Sequence, residues 1–147
     1  MALYIAVDFD GTIVSELKGP LTFMPGAAEG LAALKAAGHK LLLYSARANR
    51  SLRQDPSLDP MVRAGALDSD ALTWFDAMED YEKSYQEMVD FVTERLPGVF
   101  DAIDDGQQGK PLADLFIDDR AATKHARVDW AWLAARFGGH DVQVERR

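Results

Sequence analysis

The chain has 147 residues, 48% of them hydrophobic, which is enough to bury one core and favours a single domain over residues 1–147. Its formal net charge of −8 argues against a nonspecific nucleic-acid binder or an anionic-membrane binder, both of which need basic surface. Cysteine is absent, so disulfides, thiolate nucleophiles and cysteine-held zinc or iron–sulfur centres are excluded, and any metal must be held mainly by oxygen.

The first element is the apolar run Leu3 to Val7, read as a buried strand that delivers Asp8-Phe9-Asp10-Gly11-Thr12 at its end. Side chains alternate faces in extended backbone, so Asp8 and Asp10 project the same way. Two carboxylates sharing a site repel and raise one pKa unless a divalent cation or a proton lies between them. Gly11 frees the backbone to turn there, and Thr12 adds a hydroxyl. The N-terminus lacks a basic start with a long apolar stretch, and no later run approaches a bilayer's span, which predicts a soluble, cytoplasmic protein.

Pro25-Gly26 followed by Ala27 to Ala37 predicts a helix ended by Gly38, and Lys40 to Tyr44 predicts a second buried strand. Strand, helix, strand implies a parallel pair with a crossover, whose functional loops gather at the strands' C-terminal ends. Asp8, Asp10 and Ser45 are expected to meet there. Ala46 to Asp76 is irregular, rich in Asp, Arg and Ser and broken by Pro56 and Pro60; it reads as a long excursion with a short helix, beside the site like a lid. Arg47, Arg50 and Arg53 form the densest basic group, either a solvated loop or a means of steering an anionic substrate.

Tyr81, Tyr85, Met88, Val89, Val92 and Leu96 recur at helical spacing and predict an amphipathic helix that stops before Pro97-Gly98. Val99 to Ile103 reads as a third strand, and Leu115 to Ile117 as a short strand leading into a second acidic pair, Asp118-Asp119. Asp129 caps a helix carrying Trp130, Leu133, Ala134 and Phe137 on one face, Gly138-Gly139 stops it, and Val142 and Val144 suggest a last edge strand. Trp130 and Trp132 read as packing residues, Trp132 the more exposed. His39, His125 and His140 are isolated and lack metal-ligand spacing, so none is assigned a catalytic role. The whole predicts an α/β, three-layer Rossmann-like fold with a central, mostly parallel sheet flanked by helices.

Four strand-end segments, Asp8-Phe9-Asp10-Gly11-Thr12, Tyr44-Ser45-Ala46-Arg47, Gly109-Lys110-Pro111 and Phe116-Ile117-Asp118-Asp119-Arg120, form an ordered set that resembles the motifs of the haloacid dehalogenase superfamily of phosphohydrolases and phosphotransferases. The resemblance implies that Asp8 attacks phosphorus and forms an aspartyl-phosphate, while Asp10 protonates the departing oxygen and then activates water. A carboxylate nucleophile with a second carboxylate as acid and base suits that chemistry on general grounds too. An acid at Asp10 favours phosphomonoester cleavage over the superfamily's dehalogenases.

Magnesium is expected on electrostatic grounds, because a phosphate facing carboxylates meets repulsion of about 4 kcal/mol per unit pair at 4 Å in an effective dielectric near 20. By resemblance the ligands are the Asp8 carboxylate, the Asp10 backbone carbonyl and an aspartate of the final pair, with Asp119 favoured as the direct ligand and Asp118 holding waters or supporting Lys110. The resemblance also implies that Ser45 binds a phosphoryl oxygen and that Lys110 neutralises charge on Asp8 and the transferring group. Arg47 is a candidate substrate-phosphate contact, and Arg120 is as readily a structural ion-pair partner.

The segment between Thr12 and Pro25 is too short for a helical cap, so a capless enzyme with an open site is expected. Such a site suits a phosphorylated small molecule or a polymer end, and an oligomer partner or the Ala46 to Asp76 excursion would close it. The short spacing resembles small bacterial and phage phosphatases of the superfamily. Two rival readings are a receiver-like phosphoacceptor domain and a non-catalytic binding module on the same scaffold. The receiver is disfavoured because no lone acceptor aspartate follows the second hydrophobic strand.

Overall fold

The computed structural model of the protein describes residues 2–15, 20–48, 60–67, 81–107, 109–119 and 128–139. In chain order these form β1 (Tyr4–Val7), α1 (Ala27–Ala36), β2 (Lys40–Leu43), a 3-10 turn (Ala46–Ala48), α2 (Pro60–Arg63), α3 (Tyr81–Arg95), β3 (Ala102–Ile103), β4 (Leu115–Ile117) and α4 (Trp130–Phe137). Arg50, Arg53, Arg120, His125, His140, Val142, Val144 and most of the Ala46 to Asp76 excursion lie outside the described residues. Among the described residues no helix is long and apolar enough to cross a membrane.

The strands lie in the order β3-β2-β1-β4, and every pairing is parallel. Parallel neighbours need crossovers, and the steps β1 to β2 to β3 run in one direction across the sheet, so right-handed connections place α1 and α3 on the same face. Register and alternation agree with this. Ile5 stands beside Leu41 and Leu115, Val7 beside Leu43 and Ile117, and Leu43 beside Ile103. Ile5, Val7, Leu41, Leu43 and Ile117 share one buried cluster with Leu31 and Leu34 of α1, Met88 and Val92 of α3, and Trp130 and Leu133 of α4. This is the expected α/β, Rossmann-like architecture, with the sheet parallel throughout. The second helical layer of a three-layer arrangement is not among α1, α3 and α4. The opposite sheet face carries Tyr4, Ala6, Leu42 and Phe116, of which Tyr4 is 62% and Phe116 36% exposed.

The third strand is shorter than Val99 to Ile103. After α3 the Val99 amide folds back to the Leu96 carbonyl at 3.2 Å, and pairing with β2 begins only where the Asp101 amide reaches the Leu41 carbonyl at 2.8 Å. Val99 and Phe100 instead pack against the core from the turn. Helix α4 has the expected cap, with Asp129 Oδ1 accepting from the Trp132 amide at 2.9 Å, and Trp132 is 56% exposed.

His39 is 3% exposed, and its ring joins distant segments. Nδ1 accepts from the Leu3 amide at 3.0 Å, which leaves Nε2 as the donor to the Phe137 carbonyl at 2.7 Å. The imidazole is therefore neutral and ties the entry of β1 to the end of α4. His39→Phe keeps the aromatic bulk but orphans both groups, so urea unfolding should show a loss of about 2 kcal/mol. An unchanged midpoint would mean that water replaces both bonds.

Candidate functional site

The site lies where β1, β2 and β4 end side by side. The Asp8 amide donates to the Ile117 carbonyl at 2.9 Å and the Tyr44 amide to the Val7 carbonyl at 2.8 Å, so the sheet ladder carries Asp8, Ser45 and Asp118 to one edge. Beyond Asp8 the chain turns through Gly11, whose φ is 79° and whose amide donates to the Val14 carbonyl at 2.9 Å. A Cβ at Gly11 would overlap the Asp119 carboxylate. Glycine is required there by both conformation and space.

Asp8, Asp118 and Asp119 each present a carboxylate oxygen within 4.8 Å of the others. Thr12, 1% exposed, stands between them: its amide-accepting hydroxyl takes the Asp119 N–H at 3.0 Å and lies 3.2 Å from Asp8 Oδ2 and 3.3 Å from Asp119 Oδ1. One hydroxyl proton serves one of those carboxylates at a time. The Thr12 carbonyl in turn accepts from Trp130 Nε1 at 2.9 Å, which anchors the loop to α4. The sequence predicts that Thr12 adds a hydroxyl and that Trp130 packs, and Trp130 does lie in the buried core. Here they hold the acidic loop in place.

The Asp8 carboxyl is pushed up to about 8, first by burial, then by the charge of Asp118, against the opposing bond from the Phe9 amide; the Asp119 side-chain bond and charge push it further. Negative charge on Asp8 is therefore disfavoured in this setting. The donor set is entirely oxygen, which fits a hard divalent cation. Both members of the final pair belong to the group, and the Asp10 carboxylate does not.

Asp10 is held elsewhere. Arg47 grips it through two parallel bonds, Nε to Oδ2 and Nη2 to Oδ1, both 2.8 Å, while Nη1 donates to the Ser84 carbonyl in α3 at 2.8 Å. The guanidinium also lies 5.1 Å from the centre of the Phe9 ring. Arg47 is 3% exposed, so the solvated-loop reading does not describe it, and its charge is already committed to Asp10. Ser45 is buried at the end of β2, and its hydroxyl oxygen accepts from the Arg47 amide at 3.1 Å. That leaves the Ser45 O–H proton for another acceptor.

Lys110 is exposed and does not join the carboxylates; its ammonium lies 4.8 Å from the centre of the Phe116 ring, which also meets Tyr44 edge to face at 6.2 Å. A third acidic pair, Asp104-Asp105, follows β3 and went unread in the sequence. Asp104 is half-buried, and burial raises its carboxyl. The next residue, Gly106, has φ 76° and approaches so closely that a Cβ would overlap the Ala48 carbonyl oxygen, which seats this loop on the turn bearing Arg47. The Asp-Asp-Gly run after an apolar stretch was the available signal.

No family model matches the chain, and no curated protein matches it. Among solved structures it is similar to the conserved protein coded by a locus from Bacteroides thetaiotaomicron, with 26% identity and a TM-score of 0.50, across 100% of this chain and 94% of that one. The likeness extends to the fold.

Proposed function

We propose that this chain is a magnesium-dependent phosphomonoester hydrolase that works through an aspartyl-phosphate on Asp8. The observation that carries the reading is the meeting of Asp8, Asp118 and Asp119 at the C-terminal edge of a parallel sheet, with a separate carboxylate, Asp10, fixed two residues beyond Asp8. Asp8, Asp118, Asp119 and, by resemblance, the Asp10 carbonyl would hold the ion. A divalent cation there supplies the charge that lets Asp8 ionise at neutral pH and that stabilises the phosphoryl oxygens in the transition state.

Asp8 then attacks phosphorus through a carboxylate oxygen, the bond from phosphorus to the leaving oxygen breaks, and Asp10 gives that oxygen a proton. In the second step Asp10 takes a proton from water as the water oxygen attacks phosphorus, and the bond from phosphorus to Asp8 breaks. Ser45 donates its free O–H to a phosphoryl oxygen. Lys110 takes a charge-neutralising part only after its ammonium leaves the Phe116 ring, an exposed contact of about 0.5–1 kcal/mol. The substrate is a phosphorylated small molecule or a polymer end.

The test is release of phosphate from a generic aryl phosphate. Turnover should require magnesium, stop on chelation and return when the ion is restored. An inactive protein that a small phosphodonor converts into a stable phospho-protein would instead identify a receiver-like domain.

A further inference from the structure

Arg47 sits in a position that the proposed chemistry does not yet use. It is 3% exposed, far more buried than an arginine steering substrate through a surface loop would be. Its fork engages both oxygens of Asp10 at 2.8 Å, and a third bond of 2.8 Å reaches the Ser84 carbonyl on α3, thirty-seven residues along the chain. Phe9 lies under the guanidinium, and the Arg47 amide is pinned by Ser45. Two parallel bonds to one carboxylate fix the plane of that carboxylate as well as its position. Each Asp10 oxygen has a second lone pair, and the fixed plane sets the direction in which those pairs face.

We propose that Arg47 is a positioning residue that holds the Asp10 carboxylate in the orientation needed to exchange protons with the leaving oxygen and with water, and that it transmits the seating of α3 to that carboxylate. This rests on the phosphohydrolase reading. Arg47 acts through Asp10 and makes no contact with the substrate phosphate. A lysine cannot replace it, because a point charge reproduces neither the paired bonds nor the reach to Ser84.

The experiment compares native protein, Arg47→Lys, Arg47→Met, Asp10→Asn and the double variant Arg47→Met/Asp10→Asn on a dinitrophenyl phosphate and on an alkyl phosphate, using kcat/KM, which reports formation of the phospho-enzyme. The good leaving group departs without a proton and the alkoxide does not. The Arg47 variants should lose about 100-fold on the alkyl phosphate and only a few-fold on the dinitrophenyl ester, within the range that general acid catalysis supplies. Acid quench should also trap more phospho-Asp8 in them, since water activation suffers as well. The double variant should be no worse than Asp10→Asn.

Equal losses on both substrates would overturn the proposal in favour of phosphate binding or simple structural damage, and so would additive losses in the double variant. Should Arg47→Met fail to fold, Arg47→Lys and the native enzyme still decide: a steep dependence of native kcat/KM on the leaving group would show that Asp10 delivers no proton and would overturn it. A native protein with no phosphatase activity on either ester overturns the functional reading, and this proposal with it.

Discussion

Asp8→Asn is expected to melt at a higher temperature than the native chain at pH 8 in the absence of metal, and to release phosphate at least about 10⁴-fold more slowly when magnesium is present. The stability gain follows from linkage. Asp8 titrates near 8 in the folded protein and near 3.8 as a free carboxyl, so between those limits the native state holds a proton that the unfolded chain has released. The contribution of Asp8 to stability is therefore complete below about pH 4 and is lost as pH rises through 8. Each unit of displacement corresponds to about 1.4 kcal/mol, so a difference of a few kcal/mol at pH 8 is in range. Asparagine remains neutral throughout, and the advantage of the variant should shrink steadily toward pH 4.

Magnesium should reverse the order. An ion that binds only the folded protein stabilises it by mass action, and its binding must release the Asp8 proton, so the native chain gains most at high pH while Asp8→Asn gains little. Differential scanning calorimetry at pH 5 and pH 8, with chelator and with magnesium, separates these effects. A metal-free native protein whose melting temperature rises with pH across this window, after allowance by the Asp8→Asn control, would contradict the raised Asp8 carboxyl.

Gly11→Ala should abolish magnesium-dependent stabilisation and reduce phosphate release by 100-fold or more while leaving a folded protein. Two penalties combine at this position. An L-residue at φ 79° is strained by about 1–2 kcal/mol, and the new methyl would occupy the space of the Asp119 carboxylate. Asp119 must then move, and its amide bond to the Thr12 hydroxyl goes with it. The buried side chains of β1, Ile5 and Val7, are untouched, so the sheet should persist. Gly38→Ala is the control: its φ is 91°, but nothing lies within 4 Å of the added carbon, so it carries strain alone. Calorimetric magnesium titrations of both variants give the answer. If Gly11→Ala binds the ion like the native chain, crowding of Asp119 is not what the glycine prevents.

The strands and their acidic ends were legible in the sequence because both are local. An apolar run of three to five residues followed by Asp8, Ser45 or Asp118 marks the C-terminal end of a buried parallel strand, and the topology brings such ends together. What escaped was set by distant partners. Nothing near Asp10 announces that Arg47 will grip it, and nothing near Lys110 shows that its ammonium will lie over the Phe116 ring. The shortening of β3 had a local cause in the Pro97-Gly98 turn, whose last bond, Val99 to Leu96, takes residues away from the sheet.

The bond from Trp130 to the Thr12 carbonyl makes the chain its own optical probe. Trp130 is 2% exposed, and its indole N–H is attached to the residue that touches both Asp8 and Asp119. Trp132, two residues on, is mostly in solvent and emits as a red-shifted background, and a Trp74→Phe variant removes the third indole of the chain. Any ion or phosphate that draws the acidic loop together alters the field at a buried indole, so occupancy can be followed as a change in blue-side fluorescence without a label.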